Sequence, residues 1–153
     1  MTALNIEVRA FNHPDVVALV EQIQQFYLIS YGSRDDDRTP PEQFAPPQGL
    51  FLVGYLDERP VACGGWRRLD PATAEIKRMW IAEAVRGRGL ARVMLGELEA
   101  TAAAAGVSRI TLNTGYLQTE AMALYESSGY VRTEDRYGHY ADFDGAHFFA
   151  KTL

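Results

Sequence analysis

The sequence predicts an α/β fold in which helices pack against a mixed β-sheet. Three observations lead there. Short runs with strand periodicity alternate with longer segments in which apolar residues recur at helical spacing. A chain of 153 residues suits a single domain over 1–153, able to bury roughly 70% of the surface its unfolded chain exposes. The strand-like run 74–81 also passes through a basic glycine turn directly into an alanine-rich helix. The expected element order is β-α-loop-β-β-β-α-β-α-β-β.

Each element has a local reason. Residues 6–10 alternate as a strand does. His13-Pro14-Asp15 opens a helix, since proline suits a first turn, and Val16, Leu19, Val20, Ile23, Phe26 and Tyr27 repeat at helical spacing. Residues 30–47 turn polar and proline-rich, with Gly32 and the run Asp35-Asp36-Asp37; only Pro41 to Phe44 reads as a brief helix. A loop of that length in a compact domain is functional or disordered, and the acidic run reads as a solvated segment. Residues 50–56 and 60–67 form a hairpin turning at Asp57-Glu58-Arg59. In the strand 74–81, simple alternation sends Glu75, Lys77 and Met79 to one face and Ile76, Arg78 and Trp80 to the other. The helix 89–105 carries Leu90, Met94, Leu98 and Ala102 on one face, and Gly106 supplies its left-handed cap. A strand at 109–113, a helix at 118–128 and strands at 130–134 and 146–153 complete the chain.

Composition narrows the function. Hydrophobic content of 47% and charged content of 23% are ordinary for a globular protein. A net charge of −5 disfavours nucleic acid, which needs extended basic surface. The single cysteine, Cys63, forms no intrachain disulfide and offers no zinc cluster; in an apolar strand it reads as a small buried hydrophobe. His13, His139 and His147 lack metal-site spacing, and His139 reads as surface, so no metal is expected. No window suits a membrane span and the N-terminus has no secretory pattern, so the expectation is a cytoplasmic protein.

The segment Arg86-Gly87-Arg88-Gly89-Leu90-Ala91 carries the chemistry. A tight glycine turn before a helix N-terminus can aim several backbone N–H groups into one concavity, and the helix dipole adds positive potential. Arg86, Arg88 and Arg92 add the charge a pyrophosphate would use. A Walker loop would require Lys-Ser or Lys-Thr where Leu90-Ala91 stands, and a dinucleotide fingerprint would require a third glycine before Gly96.

The segment resembles the acyl-CoA pyrophosphate loop of the GNAT superfamily of N-acetyltransferases, whose pattern Arg86, Gly89 and Ala91 match. The run from Ala121 through Leu124-Tyr125 to Gly129-Tyr130 resembles that superfamily's second signature. Cys63-Gly64-Gly65, Lys77-Arg78-Met79 and Tyr137-Gly138-His139-Tyr140 extend the likeness over most of the chain from about Leu50. The resemblance implies a central, mixed but mostly antiparallel twisted sheet flanked by helices, with a splayed strand pair that binds acyl-CoA. It implies acetyl-CoA as co-substrate, held by the backbone of Met79, Trp80 and Ile81, by Arg86, Gly87, Arg88, Gly89, Leu90, Ala91 and Arg92, and by Asn113 and Tyr125.

For catalysis, the resemblance makes Tyr125 the general acid that meets the departing thiolate; the alternative is a tyrosine packed by its ring. Glu75 is the residue placed to deprotonate or position the amine, directly or through water, and the alternative is a carboxylate paired with Lys77 or Arg68. Tyr31 and Arg34 stand as acceptor contacts, since the family's acceptor site is formed in part by this loop. The implied activity is direct acetyl transfer to a primary amine of a small molecule, amino acid or peptide. A non-catalytic acyl-CoA-binding sensor on the same fold is the alternative. Homodimers are common in the family, but the sequence marks no interface.

Overall fold

The computed structural model describes residues 3–35 and 38–153. Its elements are β1 (Asn5–Val8), α1 (Pro14–Tyr31), β2 (Gly49–Leu56), β3 (Arg59–Arg68), β4 (Thr73–Ile81), α2 (Leu90–Ala104), β5 (Arg109–Gly115), α3 (Thr119–Ser127), β6 (Val131–Arg132) and β7 (Ala146–Thr152). Short 3₁₀ turns fill Pro41–Phe44 and Glu83–Val85. The strands form one seven-stranded sheet in the order β1-β2-β3-β4-β5-β7-β6. Only β4 and β5 run parallel; their neighbours pair antiparallel. The mixed, mostly antiparallel sheet expected from the sequence is present.

Helix α1 covers one face. The His13 side chain accepts the Asp15 N–H at its start and Pro14 occupies the first turn, satisfying donors that no helical carbonyl can reach. Val16, Leu19 and Ile23 are buried, packing in one cluster with Phe51, Val53 and Cys63. The helix continues through Ser30 and Tyr31, which the sequence reading gave to the loop. It stops at Gly32, whose left-handed backbone (φ 80°) returns its N–H to the Leu28 carbonyl. Chain conformation at one glycine, rather than the polarity of the segment, sets the boundary.

Helices α2 and α3 pack in the other cluster, where Met94, Leu95, Leu98 and Ala102 meet Ile76, Ile110 and Leu112. At the far end of α2 the Val107 N–H reaches the Ala102 carbonyl over left-handed Gly106. The β2–β3 hairpin turns through Asp57 and Glu58, both at positive φ, the twist a two-residue turn needs to match its strands.

Two irregularities shape the middle of the sheet. The β4–β5 ladder covers only Thr73–Arg109, Ala74–Ile110 and Glu75–Thr111, after which the parallel strands part. Opposite this, the β3–β4 register jumps between Cys63–Trp80 and Gly65–Lys77, placing an extra residue in β4. Arg78 has the left-handed backbone of such a bulge (φ 58°), and the Cys63 thiol donates to the Arg78 carbonyl at 3.2 Å.

The bulge corrects the expected alternation. Glu75 and Met79 do not share a face: Met79 packs against the α2–α3 cluster and Trp80 against the α1 cluster. Arg78 joins the α1 side, where Asp35 meets it. One inserted residue breaks the period-two rule on which the expectation rested.

Candidate active site

Two cavities open where β4 and β5 part. The larger, about 560 Å³, runs from residues 79–81 of β4, past Arg86, Gly87 and Gly89, to the first turns of α3. The smaller, about 80 Å³, lies between α1 and the sheet. Phe26, Met79, Trp80, Gln118 and Tyr125 line both.

The larger cleft assembles most of the residues expected to hold acyl-CoA. Met79, Trp80, Ile81, Arg86, Gly87, Gly89, Leu90, Ala91 and Arg92 all border it. Gly87 and Gly89 have φ of 80° and 77°, with nothing within 4 Å of where a Cβ would stand. Gly89 directly precedes α2, so the turn faces open space with the helix N-terminus behind it. That combination suits an anion. Arg86 folds back on β4, its Nε donating to the Ile81 carbonyl at 3.0 Å and its guanidinium 4.5 Å from the Trp80 ring centre. Arg92 donates to the hydroxyls of Ser127 and Ser128, tying α2 to the end of α3 across the cleft. Arg88 is exposed and does not border the cleft.

Tyr125 stands at the junction. Its ring is buried against Tyr130 and Phe149, and no described residue hydrogen-bonds its hydroxyl. Burial pushes its pKa up to about 12, so the phenol stays protonated throughout the physiological range.

The smaller cavity is polar. Glu75 is buried; its Oε1 accepts from Arg67 Nε at 3.0 Å and lies 3.0 Å from Arg67 Nη2 in an ion pair. Its ionic partner is therefore Arg67, rather than Lys77 or Arg68. The Tyr137 hydroxyl is buried beside Glu75, Thr111 and Asn113 without a well-formed hydrogen bond to any of them, and burial followed by the Glu75 charge raises its pKa. Asn113 lines this cavity, not the larger cleft where it was expected.

The expected acceptor contacts are placed elsewhere. The Tyr31 hydroxyl accepts the Leu117 N–H at 3.2 Å, and its ring packs on Tyr27 and Tyr116; it borders neither cavity. Arg34 makes a two-pronged pair with Glu21 at 3.0 and 2.8 Å on the surface and also borders neither. Its hydrogen bonds hold the Glu21 carboxyl down at about 2.

The Asp35 side chain, read as solvated, is instead almost wholly out of solvent. Its Oδ2 lies 2.6 Å from Arg78 Nη1, with both side chains 7% exposed, and its Oδ1 accepts from the Tyr140 hydroxyl. Asp36 and Asp37, the rest of the acidic run, lie outside the described residues. Arg78 was missed as a site residue, although an arginine inside an apolar strand signals a buried partner.

Cys63 is fully buried and its thiol pKa is pushed up to about 12 by that burial. Thiolate is then scarce below about pH 11. N-ethylmaleimide at pH 8 should leave the native protein unmodified and label it after unfolding; fast native labelling would show that the thiol is accessible. Among the described residues, no three His, Cys, Asp or Glu side chains cluster as a metal would require, and no helix is long and apolar enough to cross a membrane.

The sheet and the helices around it have counterparts in known proteins. The acetyltransferase (GNAT) family model matches residues 18–130. An IAA acetyltransferase of Azospirillum brasilense is 30% identical over 117 residues, 76% of each chain. A candidate acyl-CoA N-acyltransferase of Klebsiella pneumoniae superposes with a TM-score of 0.83 at 24% identity, covering 98% of this chain and 97% of the other. A GNAT family acetyltransferase of Elizabethkingia anophelis, solved with acetyl-CoA bound, gives 0.73 at 17% identity and 98% coverage of both. The chain belongs to the acetyltransferase (GNAT) family, whose members carry out acyl-CoA-dependent acyl transfer.

Proposed function

We propose that the protein transfers the acetyl group of acetyl-CoA directly to a primary amine of a small molecule, amino acid or peptide. The observation that carries this reading is Tyr125, a buried phenol whose hydroxyl no described residue hydrogen-bonds, lying where the two cavities meet. In this reading the turn 86–89 and the start of α2 hold the pyrophosphate of acetyl-CoA, with backbone N–H groups as donors. The parted edge of β4 at Met79, Trp80 and Ile81 takes its pantetheine arm. Acetyl-CoA supplies the activated thioester.

The chain supplies geometry and protons. Tyr125 donates a hydrogen bond, or its proton, as negative charge develops on sulfur. Glu75, at the wall of the smaller cavity, takes the proton of the acceptor ammonium directly or through water. Transfer without an acyl-enzyme fits the state of Cys63, whose buried thiol spends its hydrogen on the Arg78 carbonyl. Release of CoA, followed over a panel of primary amines with mass confirmation of products, tests the activity. Binding of acetyl-CoA with no turnover across the panel would leave a binding module.

Glu75→Gln separates two roles of that carboxylate. A free primary amine titrates at about 10.4, so the acceptor is mostly protonated at neutral pH. If Glu75 removes that proton, its amide should lower kcat/KM by about ten-fold or more at pH 7, and by much less near pH 10. A parallel loss at both pH values would reduce Glu75 to a partner of Arg67.

A further inference from the structure

We propose that Asp35 is a specificity-determining positioning residue that restricts the acceptor to a compact primary amine. The inference rests on the transfer reading above and adds to it the size of the acceptor and the residue that sets it.

Three parts of the chain, distant in sequence, converge on Asp35. Gln24 of α1 binds its backbone twice, accepting from the Asp35 N–H at 2.7 Å and donating to its carbonyl at 3.0 Å. Its carboxylate then spans to Arg78 in the β4 bulge and to Tyr140 in the turn before β7. Asp35, Arg78 and Tyr140 all line the smaller cavity, so the bridge is part of its wall. The partners come from α1, the sheet and the C-terminal segment, and this fixes the spacing between them.

The space that remains is small. The cavity, about 80 Å³ against about 560 Å³ for the neighbouring cleft, is several-fold the smaller of the two chambers. A compact amine fits within it; a longer one has to run out through the open side of the cavity or press on the bridge in its wall. Length pressed against the bridge would have to displace an ion pair whose two side chains are almost wholly out of solvent, and separating charges at a site so little exposed is costly. Discrimination of this kind acts on the acceptor alone, because the bridge does not border the larger cleft.

The test uses the full-length protein and its acceptor kcat/KM for straight-chain primary amines from ethylamine to octylamine, with KM for acetyl-CoA measured in parallel. The wild type should favour the short amines, losing about ten-fold or more by the long end. Tyr140→Phe removes one hydrogen bond and keeps the ring and the ion pair; Asp35→Asn removes the charge as well. Both should flatten the length profile, Asp35→Asn more, with KM for acetyl-CoA unchanged within about two-fold. Should Asp35→Asn not fold, the Tyr140→Phe profile decides. A flat wild-type profile, or unchanged profiles in folded variants, would overturn the proposal and leave acetyl transfer standing. Binding of acetyl-CoA without turnover of any amine would overturn both.

Discussion

Replacing Tyr125 with phenylalanine should lower kcat by about ten-fold or more while leaving acetyl-CoA affinity nearly unchanged. General acid catalysis contributes roughly 10²–10⁴-fold, and the hydroxyl matters most as charge reaches the sulfur. The ring stays in place against Tyr130 and Phe149, so the substitution deletes one oxygen from an otherwise intact core position. Single-turnover measurements isolate the chemical step from product release. The pH profile gives a second check. Because burial raises the phenol to about 12, its proton is lost only at strongly alkaline pH, and the wild type should show no decline from this group below about pH 10. Equal single-turnover rates in the two proteins would return Tyr125 to a packing role.

The second large effect is expected at the turn before α2. Gly89→Val should weaken acetyl-CoA binding by about ten-fold to a hundred-fold, measured by calorimetry or equilibrium dialysis. The new side chain meets no neighbour, since nothing lies within 4 Å of its Cβ position. The conflict is in the backbone: φ of 77° is a region that β-branched residues avoid at a cost of about 1–3 kcal/mol. Relief of that strain would re-aim the N–H groups at the helix start, and each 1.4 kcal/mol lost in binding is roughly ten-fold in affinity. Helix α2 should persist, because Met94, Leu95, Leu98 and Ala102 remain buried beneath it. Unaltered affinity in a folded variant would remove this turn from the binding site.

Much of this was legible in the residues, for physical reasons that can be named. Helix α1 announces itself by Pro14 and a regular apolar stripe, and the glycine turn between β4 and α2 by residues that tolerate positive φ. These signals are local, so the chain alone carries them. Apart from the end of α1, which Gly32 sets locally, the misplacements are non-local. Nothing near Arg78 marks a bulge, neither glycine nor proline, so alternation was carried through it. Asp35 is indistinguishable by composition from the two aspartates that follow; only the approach of Arg78 and Tyr140 sets it apart. Arg34, one position earlier, was the more suggestive residue by charge, and it turns outward to Glu21. Asn113 lies inside β5, which runs on to Gly115 rather than ending at 113, and which cavity it faces depends on where β4 and β5 separate.

The bulge at Arg78 also gives β4 a tolerance to length that composition cannot express. Upstream of it, odd-numbered side chains face α1; downstream, even-numbered ones do, as Trp80 shows. Deleting Arg78 would restore a regular pleat and leave both walls in place: Lys77 would still face α1, Met79 the α2–α3 side and Trp80 α1. A related chain one residue shorter here would keep the same chambers and lose only the arginine that meets Asp35. When such chains are compared, a one-residue gap therefore belongs at Arg78, where it leaves the faces of every other residue unchanged.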